Sequence, residues 1–260
     1  MPVFDRRNNS IYGVDENPLQ SSKLETLEKL IEGLVGPDFE VIENVRLRSK
    51  KNVVLHLILK PFGSQETVNL IAKAFVTGNY DVELKLLKQS AENGLSVPKI
   101  IAAKDGVLLL DYIEGEILVD RIHRTFDAAL IDDLAHWYYD FHRSQPLLKG
   151  DPRLRNFIVA DDGLFGVDFE EASKGHWTVD LGGIAASLLD TDPINDPRKR
   201  LMVWNLLDKY LELKGIERTH DIDKDYISVI SETLKQTAQW RKSEVLSDLA
   251  NQIQKNGIPL

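Results

Sequence analysis

Residues 150–168 read GDPRLRNFIVADDGLFGVD, and this stretch decides the fold. Asn156 follows Asp151 by five positions, and another aspartate, Asp168, closes the stretch. Two short apolar runs lie between them, separated by the turn sequence ADDG, which predicts a β-hairpin. Because a hairpin brings its ends together, we expect Asp168 to lie beside Asn156.

The composition bounds the kind of protein. With 260 residues, 43% of them hydrophobic and 28% charged, the chain can form one large domain or two small lobes of an ordinary globular protein. The net charge of −9 argues against nucleic acid as the main partner. The sequence has no cysteine, which excludes disulfides and thiolate ligands, so a bound metal would rest on oxygen or histidine ligands, favouring Mg²⁺ or Mn²⁺.

No targeting or membrane segment is expected. The start of the chain, MPVFDRRNNSIYG, has no apolar segment behind a basic leader. The richest apolar runs, VVLHLIL and VLLLDYI, are too short to cross a bilayer. We therefore expect a cytoplasmic protein without a membrane partner, and the sequence indicates no protein partner.

The first part of the chain predicts a small α+β lobe. Apolar residues recur at helical spacing, then alternate with polar ones as in half-buried strands. The predicted elements are a helix at 24–34, strands at 39–47, 53–60 and 66–75, a helix at 79–94 and two strands within 98–116.

The second part is mainly helical from Asp127 onward, interrupted by the hairpin of the opening stretch. The predicted helical stretches lie at 127–144, 181–190, 198–215 and 223–254. Carboxylates on and near these helices could attract a cationic substrate, but a solvated acidic face is the simpler interpretation; they are Asp133, Asp140, Asp190 and Asp192.

A family resemblance emerges from these motifs. GDPRLRN, followed by GVDFEEA and then DLGG, resembles the catalytic core of the protein-kinase-like superfamily, particularly its aminoglycoside and choline phosphotransferase branch. That pattern runs His-Gly-Asp, four residues, Asn, then Ile-Asp-Phe-Glu, then Asp-Leu. The positions in register with it are Asp151, Asn156, Asp168 and Asp180.

The resemblance implies a bilobal, protein-kinase-like α+β fold. Residues 1–112 would form the nucleotide-binding lobe, with a helical extension at 1–37. Residues 113–260 would form a helical lobe that carries the catalytic loop and the metal site. The implied activity is transfer of the γ-phosphoryl group of ATP to a hydroxyl of a small-molecule acceptor.

The resemblance also implies roles for the residues of the loop. Asp151 would orient the acceptor hydroxyl and take its proton. Asn156 and Asp168 would hold Mg²⁺, while Asp180 would anchor the loop by hydrogen bonds. A cation at this position in relatives neutralises the transferring group, which is the role implied for Arg153.

The resemblance gives weaker support to the remaining candidate site residues. Arg155 would support the loop, and the alternative for it, as for Arg153, is a solvated cation. Lys73 matches the strand lysine that holds phosphates, with Glu83 as its ion-pair partner and Asp81 as competitor.

The stretch LLLDYIEGE resembles the hinge of that family, where adenine bonds to the backbone. The residues implied are Asp111, Tyr112 and Ile113.

Three departures from the family pattern stand out. Lys149 occupies the position of the His before Gly-Asp; it could contact a phosphate, but we interpret it as a solvated loop residue. Only eleven residues separate Asp168 from Asp180, too few for a long regulated loop, which favours a small acceptor over a peptide. The turn between the first two strands has no glycine; side chains that could replace its phosphate contacts are Arg46, Arg48, Lys50 and Lys51.

Three alternatives remain. One is an atypical serine/threonine protein kinase, and another is a non-catalytic kinase-like nucleotide-binding or regulatory module. A metallophosphoesterase is disfavoured because its Asp-x-His and Gly-Asn-His motifs are absent. The six histidines show no ligand spacing and are interpreted as surface or satisfied core residues.

Overall fold

The structure is a computed structural model that describes residues 21–49 and 51–259. The start of the chain, the helical extension before residue 21, and Lys50 lie outside the described residues. The described part contains a five-stranded antiparallel sheet, a three-stranded antiparallel sheet and eight helices. The predicted α+β class is confirmed. No helix in these ranges combines the length and apolar character needed to cross a bilayer.

One compact unit comprises residues 21–49, 51–91 and 98–113. Every helix and strand predicted for this part of the chain is present. The elements are α1 (Ser21–Val35), β1 (Phe39–Leu47), β2 (Asn52–Pro61), β3 (Val68–Phe75), α2 (Tyr80–Glu92), β4 (Ile100–Lys104) and β5 (Val107–Asp111).

The sheet of this unit has the strand order β1-β2-β3-β5-β4, which puts β3 at its centre. Alternate residues of β2, from Val53 to Leu59, are buried, as its period-two pattern predicts. Leu27 and Ile31 of α1 join these residues in one apolar cluster. The central strand is thereby held rigidly, and it carries Lys73.

The second unit comprises residues 92–97 and 114–259. Its elements are β6 (Glu116–Ile117), α3 (Leu118–Thr125), α4 (Ala129–Ser144), β7 (Phe157–Ala160), β8 (Gly163–Gly166), α5 (Thr178–Leu189), α6 (Pro197–Lys214), α7 (His220–Arg241) and α8 (Glu244–Asn256).

Two details of this unit differ from the sequence-based expectation. The sequence did not predict β6 and α3, because β6 has only two residues and the eight-residue α3 buries only Leu118 and Ile122. The helical stretch at 223–254 is two helices. Lys242 adopts the left-handed conformation that ends α7, and the Ser243 hydroxyl accepts a hydrogen bond from the N–H of Leu246 to begin α8.

An aromatic cluster joins α4 to the hairpin within this unit. The ring of Trp137 stacks on Phe141 at 5.5 Å and meets the edge of Phe157 at 5.0 Å. Phe169 packs 6.0 Å from Phe141. The residues flanking both ends of the hairpin are therefore fixed on one buried helix face.

Candidate active site

The loop that carries Asp151 has a strained backbone. Gly150 has φ of +70°, and a Cβ atom there would overlap the carbonyl group of Glu171, so glycine is required at this position. Asp151 itself has φ of +35°, a region that non-glycine residues seldom adopt. Such strain marks positions whose side-chain direction matters more than local stability.

Asn156 holds the carboxylate of Asp151. Its Nδ2 donates to the Asp151 carbonyl oxygen at 2.9 Å and to Asp151 Oδ2 at 3.0 Å. A 3₁₀ turn, Leu154–Asn156, brings the two side chains together across five residues. The amide nitrogen is thus engaged by Asp151, so Oδ1 is the Asn156 atom to which the predicted metal-binding role falls.

Asp180 ties the loop to the helices. Its Oδ2 accepts from the Lys149 N–H at 2.7 Å, and its Oδ1 accepts from the Gly150 N–H at 3.2 Å. These are the bonds expected of a loop anchor. They fix the two residues immediately before Asp151.

His142 extends this anchor and was missed by sequence reasoning. Its Nε2 lies 3.0 Å from Asp180 Oδ2, and its Nδ1 lies 2.9 Å from the Tyr210 hydroxyl. Burial raises the pKa of Tyr210, which keeps that hydroxyl protonated. His142 and Asp180 are 38 positions apart, so no spacing rule connects them.

The hairpin returns the chain to Asn156, as predicted. Phe157 pairs with Gly166, and the N–H of Val167 donates to the Asn156 carbonyl oxygen at 2.9 Å. Asp168 follows directly, with φ of +64°. The expectation that Asp168 comes back beside Asn156 is confirmed at the level of the backbone.

The donors around Asp168 fit a hard cation. One carboxylate oxygen of Asp168 and one of Glu170 lie within 4.8 Å of each other. Both ligand atoms are carboxylate oxygens, which suit Mg²⁺. The part predicted for the Asn156 amide oxygen in this site stays a prediction. Sequence reasoning recognised Glu170 as part of a motif but gave it no role.

Lys149 is not a solvated loop residue, and that interpretation was wrong. The residue is 0% exposed. Its Nζ donates to the Asp168 carbonyl oxygen at 3.0 Å and lies over the rings of Phe157 and Phe169. The aromatic faces and the carbonyl dipole stabilise a buried ammonium group that a loop position alone would not predict.

Arg153 makes internal contacts. Its Nη1 donates to Asp190 Oδ2 at 3.1 Å, its Nη2 donates to Thr237 Oγ1 at 3.3 Å, and its Nε lies 3.6 Å from Asp151 Oδ1. Arg155 is exposed, with Nη2 3.7 Å from Asp151 Oδ2. Both cations therefore flank the candidate base, whereas assistance to transfer by Arg153 stays a prediction.

Asp190 is buried, so its interpretation as part of a solvated acidic face was wrong. Its Oδ2 also pairs with Arg241 Nη2 at 3.2 Å. Burial raises the pKa of the Asp190 carboxyl, while Arg241, Arg153 and Lys199 act in the lowering direction. The two bound guanidinium groups compensate its charge.

In the first unit, Lys73 and Glu83 come together. Lys73 Nζ donates to Glu83 Oε2 at 2.6 Å, and both side chains are buried. The ammonium also lies 4.9 Å from the centre of the Phe75 ring. This contact makes Glu83, rather than Asp81, the partner of Lys73.

The turn between β1 and β2 is tied to the segment after β3. The side-chain oxygen of buried Asn52 accepts from the N–H groups of Val76 and Gly78 at 3.0 and 3.4 Å. Among the cations considered for phosphate contact, Arg48 and Lys51 are exposed and Arg46 is half-buried. The turn is thus fixed in place without a glycine.

At the predicted hinge, Asp111 binds the backbone of Lys99 through two hydrogen bonds. Its N–H donates to the Lys99 carbonyl oxygen at 3.0 Å, and its Oδ1 accepts from the Lys99 N–H at 2.5 Å. Burial raises the pKa of Asp111 against the lowering effect of that bond. Since β5 ends at Asp111, backbone groups for a base would come from Tyr112 and Ile113, and Tyr112 stacks on His56 at 4.1 Å.

Comparison with known proteins gives similarity in structure alone. No protein-family model matches the chain, and no curated protein matches it in sequence. A choline/ethanolamine kinase family protein from Mesorhizobium loti superposes with a TM-score of 0.59 over 92% of this chain and 95% of its own, at 13% identity. The fold is that of the protein-kinase-like small-molecule kinases.

Further solved structures share this kinase-like fold. The amicoumacin kinase hAmiN, in complex with AMP-PNP, Ca²⁺ and Ami, gives a TM-score of 0.63 at 11% identity, covering 90% of this chain and 94% of its own. A gentamicin complex of APH(2")-IIa gives 0.59 at 13% identity, covering 92% and 96%. The predicted resemblance is therefore confirmed for the fold, and identities this low show nothing more.

Proposed function

We propose that this protein transfers the γ-phosphoryl group of ATP to a hydroxyl of a small-molecule acceptor. The observation that carries the proposal is the Asp151–Asn156 pair, held on a strained loop that Asp180 anchors. A preorganised carboxylate next to an oxygen ligand for a metal is the arrangement that phosphoryl transfer requires. The solved neighbours are kinases by name, and one of them was solved with AMP-PNP and Ca²⁺.

In the proposed reaction Asp151 accepts the proton of the acceptor hydroxyl. The hydroxyl oxygen then forms a bond to the γ-phosphorus while the bond from that phosphorus to the bridging oxygen breaks, and ADP leaves. Lys73, oriented by Glu83, holds the phosphates. Asn156 and Asp168 would hold Mg²⁺, which neutralises phosphate charge when bound.

Two variants at the site test this proposal. We expect Asp168→Ala to abolish Mg²⁺-dependent nucleotide binding and turnover, because it removes a charged metal ligand. Asp151→Asn should bind nucleotide nearly as the unchanged protein does, yet lose turnover by about 10²–10⁴ fold. The measurements are calorimetric titration with ATP and Mg²⁺, and ADP release with a panel of hydroxyl acceptors.

Asp162→Asn, in the hairpin turn, is the matched control and should leave both quantities unchanged. Unchanged nucleotide affinity in Asp168→Ala would refute the metal assignment.

A non-catalytic nucleotide-binding module is the second candidate. The glycine-free turn between β1 and β2 favours it, since side chains there must replace backbone contacts to phosphate. If the unchanged protein and Asp151→Asn both bind nucleotide and neither consumes it with any acceptor, the module is the correct description. An Asp151-dependent release of ADP excludes it.

A further inference from the structure

A cationic and aromatic face lies beside the candidate base. It joins the loop after Asp151 to the end of α7, which closes with Trp240 and Arg241. Arg153 connects the two parts, because its guanidinium carbon lies 5.7 Å from the centre of the Trp240 ring. We define the base-side face as Arg153, Arg155, Asp190, Trp240 and Arg241.

The one carboxylate of the base-side face is not open to a ligand. Asp190 is 2% exposed, and its Oδ2 binds both Arg153 and Arg241. Arg241 Nη1 also donates to the Asp190 carbonyl oxygen at 2.9 Å. Because Arg153 and Arg155 also lie near Asp151, three guanidinium groups face two carboxylates here, which leaves one surplus positive charge. The buried Asp190 therefore offers no binding site to a cation.

The accessible groups of this face are two cations and an indole. The Arg155 and Arg241 side chains are 57% and 49% exposed, and Trp240 is 69% exposed. The chain as a whole has a net charge of −9, so the charge of this face is opposite in sign to that of the protein. Guanidinium groups bind carboxylates and phosphates through paired hydrogen bonds, and an exposed indole offers a flat apolar surface.

We propose that the phosphoryl acceptor is a hydroxyl compound that carries a carboxylate or phosphate group. Arg155 and Arg241 bind this anionic group, and Trp240 packs against the carbon skeleton. The inference rests on the proposed function, because it assumes that the acceptor approaches Asp151. An amino alcohol, whose ammonium group would meet guanidinium groups here, is disfavoured.

Four sugars that share one ring test the sign of the preferred charge. Glucosamine is cationic, glucose is neutral, and glucuronate and the phosphate ester of glucose are anionic. The protein is saturated with ADP and Mg²⁺ to occupy nucleotide sites, and each sugar is titrated by NMR. We expect either anionic sugar to bind more tightly than glucose, and glucose more tightly than glucosamine. Comparing the two anions distinguishes a carboxylate acceptor from a phosphate acceptor.

Substitutions then place the preference on the base-side face. Arg155→Gln should weaken binding of the preferred anion by about tenfold, the loss expected for one charge-assisted hydrogen bond. Trp240→Leu should weaken all four sugars alike. Arg143→Gln is the control, since Arg143 is also an exposed arginine and pairs with Asp140, outside the base-side face.

The outcomes separate this inference from the proposed function. A flat or reversed order of the four sugars, or an anion preference that survives in Arg155→Gln, overturns the inference. The sugar titration measures binding and needs no turnover. Failure of the proposed function would appear instead as the absence of Asp151-dependent ADP release.

Discussion

The ammonium Nζ of Lys149 lies 3.0 Å from the carbonyl oxygen of Asp168. This bond fixes the backbone at a residue whose φ of +64° is uncommon for aspartate. The side chain of Lys149 thus donates a hydrogen bond just beyond the end of the hairpin, while its backbone N–H donates one to the Asp180 carboxylate. One residue therefore connects the candidate metal ligand to the loop anchor.

Lys149→Met should weaken Mg²⁺-dependent nucleotide binding. The variant keeps the apolar stem and removes the ammonium, so Asp168 loses the bond that holds its backbone. A bond to a charged donor is worth about 1.5–3 kcal/mol, which corresponds to roughly ten- to hundredfold in affinity. The measurement is the difference between nucleotide affinities with and without Mg²⁺.

Lys174→Met, at an exposed position of the same unit, is the matched control for this change. Thermal unfolding is recorded to establish that Lys149→Met folds. A folded Lys149→Met protein with the full Mg²⁺ effect would contradict the role given to the lysine, as would a loss that is equal with and without the metal.

Lys73→Met should lower both the free energy of unfolding and the affinity for nucleotide. Glu83 is 1% exposed, and without the lysine its charge loses its cationic partner, at about 3–5 kcal/mol of unfolding free energy. In the double variant Lys73→Met/Glu83→Leu we expect stability to recover in part while nucleotide affinity stays low. Urea unfolding and nucleotide titration measure the two effects.

Lys104→Met, which changes an exposed lysine on the edge strand β4 of the same sheet, controls for the loss of a positive charge. If nucleotide affinity returned together with stability in the double variant, Lys73 would be a structural residue only.

Asp180→Asn should slow turnover more than it weakens ATP binding. The amide retains one acceptor oxygen in place of two, so the Lys149 N–H, the Gly150 N–H and His142 cannot all be satisfied. Asp180→Ala removes every one of these bonds and should be slower still. We expect turnover to fall by at least about tenfold in Asp180→Asn, with the KM for ATP changed less than twofold.

Thermal melting of the same series tests whether the effect is local. A KM for ATP that rises in proportion to the loss of turnover would show that Asp180 affects nucleotide binding rather than the loop that carries Asp151.

Lys199 predicts a pH dependence of stability. Its Nζ donates to the carbonyl oxygens of Thr191 and Asp192, and burial lowers its pKa from 10.5 to about 8. Asp196, Asp192 and Asp190 oppose that shift, and Arg198 adds to it. Between about pH 8 and 10 the unfolded chain binds more protons than the folded one, so the unfolding free energy should rise with pH.

The variant Lys199→Met should lack this rise, whatever its absolute stability. Denaturant unfolding at intervals of pH measures the slope, and Lys209→Met, whose lysine lies on the same helix in a surface pair with Glu212, supplies the control. A slope that is the same in all three proteins would disprove the assignment to Lys199.

Local pattern sufficed for much of the fold. The alternation in β2 predicts its buried face because side chains on a strand alternate between two sides. The hairpin was predictable from its turn composition, which also places Asp161 and Asp162 in the turn and leaves the site residues at the two ends. These signals lie within a few residues of each other, which is the range over which one sequence is informative.

Partners distant in the chain were not predictable. Nothing near Lys149 indicates burial, since the carbonyl and rings that surround its ammonium come from other parts of the unit. The same reason applies to His142 and Asp190, because the partners of their side chains lie 37 or more positions away. Lys149 and Asp190 were expected to be solvated, as most charged side chains are. Contacts with distant parts of the chain bury both.

The short segment after Asp168 has a consequence for control of the protein. Leu148 and Ser173 exchange backbone hydrogen bonds at 2.7 and 3.3 Å, which pins the middle of the eleven residues that lead to Asp180. A stretch this short, held by two backbone hydrogen bonds at its middle, has little freedom to change conformation. Under the proposed function, we therefore expect the rate of phosphoryl transfer to depend on the concentrations of nucleotide and acceptor rather than on a rearrangement of this segment.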